Sequence, residues 1–206
     1  MLAIIGTYRK DAYLPLLLDS LKENASGITQ LHFVDDSGDQ AFSDSLSQYG
    51  DVTALGGQGY NAAMQEVVRV GAAYGDHAIF LEEDFTIDTP TDFFNIAAHI
   101  DTHPYLSQVV LQRQPWFENE LRAGDMLRVF KNRGKQFKDV HGYLEHEHFF
   151  SCNPAVWNKD TFAAGWPEGD WSENLKRDAE LAAGRKFAIT KNIRVHHDGV
   201  RSGKGY

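Results

Sequence analysis

The sequence predicts an α/β fold, a mixed and mostly parallel sheet flanked by helices in a single domain, and three observations carry that expectation. Short apolar runs alternate with stretches of helical period through the first half of the chain, which is the pattern of βαβ units. Several runs end abruptly in polar, turn-forming residues, as at Asp35-Asp36-Ser37-Gly38. The 206 residues, 42% of them hydrophobic, suffice for one well-buried core.

In order, Leu2 to Ile5 reads as a buried strand. Asp11 is placed to cap a helix in which Leu14, Leu17, Leu18 and Leu21 keep helical spacing, with Pro15 tolerated in the first turn. Leu31 to Val34 and Val52 to Leu55 follow as strands. Gly56-Gly57-Gln58-Gly59 opens a helix carrying Tyr60, Ala63, Met64, Val67 and Gly71 on its apolar side. Ala78 to Leu81 is the next strand and ends in Glu82, Glu83 and Asp84. Thr89 and Pro90 offer a cap and first turn for a helix burying Phe93, Ala97 and Ile100, and Val109 to Gln112 is a fifth strand. Beyond Pro115, alternation in Leu127-Arg128-Val129-Phe130 and His146-Glu147-His148-Phe149 predicts added strands and loops. Trp171 to Ala183 is a last helix, with Trp171 fitting its apolar side and Gly184 ending it, before a late strand at Phe187 to Ile189.

The formal charge of -9 disfavours broad adhesion to nucleic acid or anionic lipid. Lys131, Arg133, Lys135 and Lys138 form a local basic stretch that reads as a solvated loop. No apolar run reaches the roughly 18 residues of a membrane span, and the N-terminus lacks the plan of a secretory signal. A lone cysteine, Cys152, fits a reducing compartment. The expectation is a soluble, cytoplasmic protein without stable membrane insertion.

Ligands of open α/β sheets gather at the carboxyl ends of the strands. The acids in FLEEDF follow an apolar run without a spacer, so they form either a solvated strand end or a site where Mg²⁺ or Mn²⁺ relieves their repulsion and recruits phosphate oxygens. His141, His146 and His148, with Glu145 or Glu147, have spacings that suit Zn²⁺, but without a helical HExxH arrangement they read as an exposed polar strand.

The segments IIGTYRK, FVDDSGD, LGGQGYNAAMQ and IFLEEDF, in that order, resemble inverting GT-A glycosyltransferases, particularly family 2. The resemblance covers residues 1–90 and, more loosely, 150–200, with DDSG in place of DDGS and Glu82-Glu83-Asp84 in place of Asp-x-Asp. It implies a single GT-A-like domain with a nucleotide-binding half at 1–90 and an acceptor-binding half with the tail at 91–206. It also implies transfer from a nucleoside diphosphate sugar, most often a uridine one, to an acceptor that is a glycan, lipid, protein or modified nucleic acid.

On that resemblance, Thr7, Tyr8, Arg9 and Asp36 or Asp35 hold the base and ribose. Asp84, with Glu82 or Glu83 behind it, places the Mn²⁺ or Mg²⁺ on the diphosphate, and Gly57, Gln58 and Asn61 line the donor pocket, with an N-terminal helix cap as the alternative for Gln58 and Asn61. GWPEGDWSENLKRDAELAAG matches the acceptor loop and its helix, so Glu173 or Asp170 is the base, Asn174 replacing a second acid. For Glu173 the alternative is a first-turn acid favoured by the helix dipole. His196 or His197 supplies a further metal ligand, and alternation lets only one face the site. Trp166 and Trp171 are either core aromatics or platforms for sugar rings, and the stretch from Asp198 to Tyr206, with Arg201 and Lys204, either folds over the diphosphate or is a disordered polar terminus. The competing classes are a nucleotidyltransferase, disfavoured because no Gly-rich loop with Arg and Lys follows the first strand, and a binding module without catalysis.

Overall fold

The computed structural model describes residues 1–8 and 12–199. The first half runs β1 (Leu2–Thr7), α1 (Leu14–Asn24), β2 (Ala25–Ser26), β3 (Gln30–Asp35), α2 (Gln40–Leu46), β4 (Asp51–Ala54), α3 (Tyr60–Tyr74), β5 (Ala78–Glu82), β6 (Phe85–Ile87) and β7 (Thr91–Asp92). It continues with α4 (Phe93–Thr102), β8 (Leu106–Arg113), α5 (Glu118–Ala123), α6 (Met126–Asn132), β9 (Lys138–Val140), β10 (Tyr143–His146), β11 (Ala155–Trp157), α7 (Lys159–Ala163), α8 (Ser172–Ala182) and β12 (Lys186–His197).

The main sheet has the order β4-β3-β1-β5-β11-β8-β12-β10-β9, with β6 paired to β12. β1, β3, β4 and β5 pair in parallel, as do β8 and β12. β11 is antiparallel to both β5 and β8, so those two point the same way. The carboxyl ends of β1, β3, β5, β8 and β12 therefore share one edge of this mixed, mostly parallel sheet. Alternation sends Ala3 and Ile5 into a core with Leu17, Phe33 and Phe93 on one face, and Leu2 and Ile4 into a core with Val67, Phe80 and Trp157 on the other. On that second face α3 packs against α7 at Gly71, where a Cβ would stand 2.2 Å from Cδ1 of Phe162.

Local capping explains the departures from the sequence reading. Leu127-Arg128-Val129-Phe130 lies in α6 and not in a strand, because Gly124 ends α5 in the left-handed region (φ 99) and the Asp125 carboxylate then accepts from the Arg128 N–H as an N-cap. α2 follows the turn at Asp36 where the sequence predicts no helix, and its cap is Asp39, which accepts from the N–H groups of Ala41 and Phe42. α4 is capped by Asp92, not by Thr89 and Pro90. Asp11 lies outside the described residues. Trp171 precedes α8 in a left-handed conformation (φ 58) and is 82% exposed, because the buried residues of that helix are Ser172, Lys176 and Glu180. The Lys176 ammonium donates to the carbonyls of Thr161 (2.8 Å) and Gly165 (2.7 Å) and pairs with Glu180, which Arg185 also contacts.

The basic stretch is exposed at the end of α6, in the following turn and in β9. No helix among the described residues is long and apolar enough to cross a membrane.

Candidate functional site

The DDSG segment divides its two acids between different tasks. Asp35 is fully buried and its carboxylate accepts from Thr7 Oγ1 (2.9 Å), Ser37 N (3.2 Å), Ser37 Oγ (2.8 Å) and Ser43 Oγ (2.5 Å). Four donors fill the lone pairs of that group, so Asp35 and Thr7 tie β1, β3 and α2 together and present no carboxylate to a nucleotide. Asp36 accepts from the backbone N–H groups of Gln58 and Gly59, both at 2.6 Å, and so fastens the Gly-rich loop to the end of β3. Gly56, Gly57 and Gly59 take φ of 75, 82 and 92, values that favour glycine and let the loop turn back to this carboxylate.

A narrow cleft opens beside that junction, lined by Gly6, Tyr8, Asp36, Tyr60, Phe80 and Glu82. The three acids after β5 separate, because the strand stops at Glu82 and the chain turns. Glu82 faces the cleft, whereas Glu83 is buried and accepts from the Tyr8 N–H at 2.6 Å, holding the start of the loop after β1. Arg9 lies outside the described residues, as do Arg201 and Lys204.

Asp84 is buried at the edge, and His197 reaches it from the last strand. Register shifts between Ile189 and Ile193 and between Ile193 and Val195 bend β12 away from simple pairing with β8. Its end then pairs with β6, setting His197 opposite Phe85, and the His197 Nε2 stands 3.2 Å from the Asp84 Oδ2. The imidazole lies between two rings, Phe85 at 4.4 Å and Trp116 at 4.0 Å between centroids. Gln114 bonds both sides of the His197 backbone, donating to its carbonyl (3.1 Å) and accepting from its N–H (2.9 Å). The adjacent His196 is exposed, with Nε2 3.8 Å from Asp198, so of the two late histidines only His197 joins Asp84.

The chain then closes over this pair. The Asp198 N–H donates to the Asp84 carbonyl at 2.8 Å, and a Cβ on Gly199 would fall 2.2 Å from Asp84 Oδ2 and 3.0 Å from His197 Nε2. A carboxylate oxygen and an imidazole nitrogen converging on one point, under a residue that can carry no side chain, fit a hard divalent cation.

A second hollow joins the two halves of the chain. It is lined by Gln58, Asn61, Asp170, Trp171, Glu173 and Asn174, among others. Asn61 donates to the Gly169 carbonyl at 3.4 Å and Gln65 to Glu168 at 3.2 Å, so the start of α3 is tied to the loop before α8. Gln58 turns its amide back to the Leu55 carbonyl. Glu173 is half-buried, accepts from the Cys152 N–H at 2.9 Å, and burial pushes its carboxyl above the ordinary range. Asp170 is exposed. Burial likewise raises the Cys152 thiol, whose sulfur is 3.3 Å from the Tyr60 hydroxyl.

Sequence reading missed Gln114 and Trp116, whose only signal is a QPW triplet after a strand. It also missed the buried Arg113–Glu120 ion pair (2.7 Å) that fixes this segment, with the Trp116 N–H donating to Glu120 at 2.8 Å. The stretch expected to be an exposed polar strand is partly buried, at Glu145 and His146, and among the described residues His146 and His148 do not gather as a metal site. His146 is buried among Phe137, Phe149 and Phe187, burial holds its ring well below the usual value, at about 3, and its Nδ1 accepts from the His148 N–H.

No family model matches this sequence, and no curated protein matches it by sequence. Solved structures do match by shape. The chain is similar to S. aureus TarS 1-349 in complex with UDP, with a TM-score of 0.61 and 15% identity over 95% of this chain and 59% of that one. It is similar to the mannosyltransferase PcManGT from Pyrobaculum calidifontis in complex with GDP-Man and Mn²⁺, with a TM-score of 0.66 and 12% identity over 98% of this chain and 57% of that one. It is also similar to CMP:2-keto-3-deoxy-manno-octonic acid synthetase complexed with CTP, with a TM-score of 0.58 and 13% identity over 95% of this chain and 90% of that one. The chain spans less than two thirds of the length of the first two. These likenesses, together with the sheet order and strand directions, identify the architecture alone: the chain has a GT-A, Rossmann-like fold, a mixed and mostly parallel sheet flanked by helices.

Proposed function

We propose that this chain is a metal-dependent glycosyltransferase that moves a sugar from a nucleoside diphosphate donor to an acceptor hydroxyl, with inversion. The observation that carries the reading is the convergence of Asp84 Oδ2 and His197 Nε2, 3.2 Å apart beneath Gly199. An edge carrying Asp36, Glu82 and Asp84 repels a diphosphate unless a cation stands between them. Asp84 and His197 would hold Mn²⁺ or Mg²⁺ there, and when bound the cation stabilises the charge that develops on the departing diphosphate. PcManGT, with GDP-Man and Mn²⁺, supports that reading by analogy of fold.

In this reading the cleft beside Asp36 takes the nucleoside, with Tyr8 and the Asp36-fastened loop shaping its mouth, and a uridine donor is the first to test. Gln58 and Asn61 border the space between donor and acceptor. Glu173 accepts the proton of the attacking hydroxyl, and its raised affinity for protons suits a general base. Asp170, exposed in the same hollow, is the lesser candidate. Trp171, exposed beside Glu173, offers a flat apolar face suited to an acceptor sugar ring.

The test is release of nucleoside diphosphate from a panel of uridine, guanosine and thymidine diphosphate sugars with Mn²⁺, in the wild type and in Asp84→Asn. Release by the wild type that Asp84→Asn abolishes supports the reading. A binding module releases nothing. The likeness to the CTP-bound synthetase keeps a nucleotidyltransferase as the second reading, and pyrophosphate release from a nucleoside triphosphate and an acidic sugar would decide for it.

A further inference from the structure

At the opposite edge of the sheet, away from the carboxyl strand ends, a second group of metal-ligating side chains converges. His99 sits in the last turn of α4 and His103 caps that helix, so the two rings fall one helical turn apart and face each other at 4.2 Å between centroids. Glu145 approaches from β10. One ligating atom from each of His99, His103 and Glu145 lies within 4.8 Å of the other two.

The details of bonding favour a metal over a chance cluster. His99 is 7% exposed, and its Nε2 is buried with no hydrogen-bond partner among the described residues. An orphaned buried nitrogen costs free energy unless something binds it. The Nδ1 of His103 is 2.9 Å from the His99 carbonyl and 3.0 Å from the Thr102 hydroxyl; a proton on Nδ1 satisfies the carbonyl, which only accepts, and leaves the Nε2 lone pair for a ligand. The Tyr105 hydroxyl donates to Glu145 Oε1 at 2.7 Å, the kind of supporting bond that orients a carboxylate ligand.

We propose that His99, His103 and Glu145 form a zinc site, remote from the donor site, that clamps the end of α4 to β10. Two imidazoles and one carboxylate are a ligand set that suits Zn²⁺ and leaves one tetrahedral position. His141, exposed on a left-handed backbone (φ 49) with its ring 5.7 Å from that of His103, is placed to supply it, and a water is the alternative.

The test uses the tag-free chain, stripped with a chelator and dialysed against Zn²⁺, with bound metal measured by atomic emission and Co²⁺ substitution followed by its visible absorption. Four proteins are compared: wild type, Asp84→Asn, Glu145→Gln and His103→Gln. Glu145→Gln keeps an acceptor for Tyr105 and His103 is only half-buried, so both variants should fold, which a melting curve checks. The site requires about one Zn²⁺ per chain in the wild type and in Asp84→Asn, a tetrahedral Co²⁺ spectrum, and affinity lower by at least about tenfold to hundredfold in the other two. Wild-type affinity in both Glu145→Gln and His103→Gln, or no bound zinc in the wild type, overturns the proposal. Because Asp84→Asn is carried alongside, that failure is separable from a failure at the donor site.

Discussion

The Nε2 of His197 stands 3.2 Å from the Oδ2 of Asp84, although the two residues are 113 positions apart in the chain. Three devices hold the pair: the bend in β12 at its register shifts, the rings of Phe85 and Trp116 on either side of the imidazole, and the two backbone bonds from Gln114. An imidazole fixed before any ion arrives loses little rotamer freedom on binding one.

In the proposed cation site Trp116 is accordingly a positioning residue. Trp116→Ala should weaken Mn²⁺ binding by about tenfold to hundredfold, the range for lost support of a metal ligand. Trp116→Phe should restore most of it, measured by titration with Mn²⁺ at fixed nucleoside diphosphate. Equal affinity in all three proteins would remove this role.

With Glu173 as the proposed base, rate should depend on pH. Its folded-state carboxyl is raised by burial, so the folded chain keeps this proton to higher pH than the unfolded chain. The resulting stability is present below the unfolded value and is lost as pH rises through the folded one. Glu173→Gln removes the buried charge while keeping an acceptor for the Cys152 N–H. The variant should melt no lower than the wild type near pH 8, while turnover falls by about 10²–10⁴-fold, as expected for loss of a general base. In the wild type, turnover should rise with pH along a limb displaced above that of an ordinary carboxylate. Retained turnover in Glu173→Gln would transfer the base role to Asp170.

The βαβ half was legible because strand and helix periods are local properties of Leu2 to Leu81, and the edge they define follows from strand direction. The bonding of Asp35 was not legible, since nothing in DDSG says that Ser43, eight residues on in an unsuspected helix, reaches back to it. Nor was the helix at Leu127 to Phe130, where four alternating residues mimic a strand and Gly124 with Asp125 decides the matter. Trp171 misled because α8 buries an ion pair where its period invites an apolar stripe. The choice between His196 and His197 needed the register of β12 against β6, a pairing far apart in sequence.

Asp35 should matter to the fold rather than to donor binding. Asp35→Ala leaves the hydroxyls of Thr7, Ser37 and Ser43 without their shared acceptor, and each buried group so orphaned costs about 1–3 kcal/mol. Denaturant unfolding should show a loss of about 2–5 kcal/mol, within the range for broken buried networks. A neutral result would mean that water replaces the carboxylate.

Lys176 anchors the helix that carries Glu173. Removing one partner of a buried ion pair costs about 3–5 kcal/mol, so Lys176→Ala should destabilise by that order and loosen the start of α8. Hydrogen exchange at residues 172–176 should speed up before the rest of the domain. Uniform exchange across the chain would argue that α8 is held by other contacts.

The most direct test of the central claim, that Asp84 and His197 hold a cation against a diphosphate, is a melting-curve matrix of the chain with Mn²⁺, with uridine or guanosine diphosphate, and with both. Ligands that bind the folded state together raise the melting temperature together. The wild type should show a joint shift larger than the sum of the two separate shifts, and that excess should disappear in Asp84→Asn and in His197→Ala. Equal joint shifts in all three proteins, or none in the wild type, would contradict it.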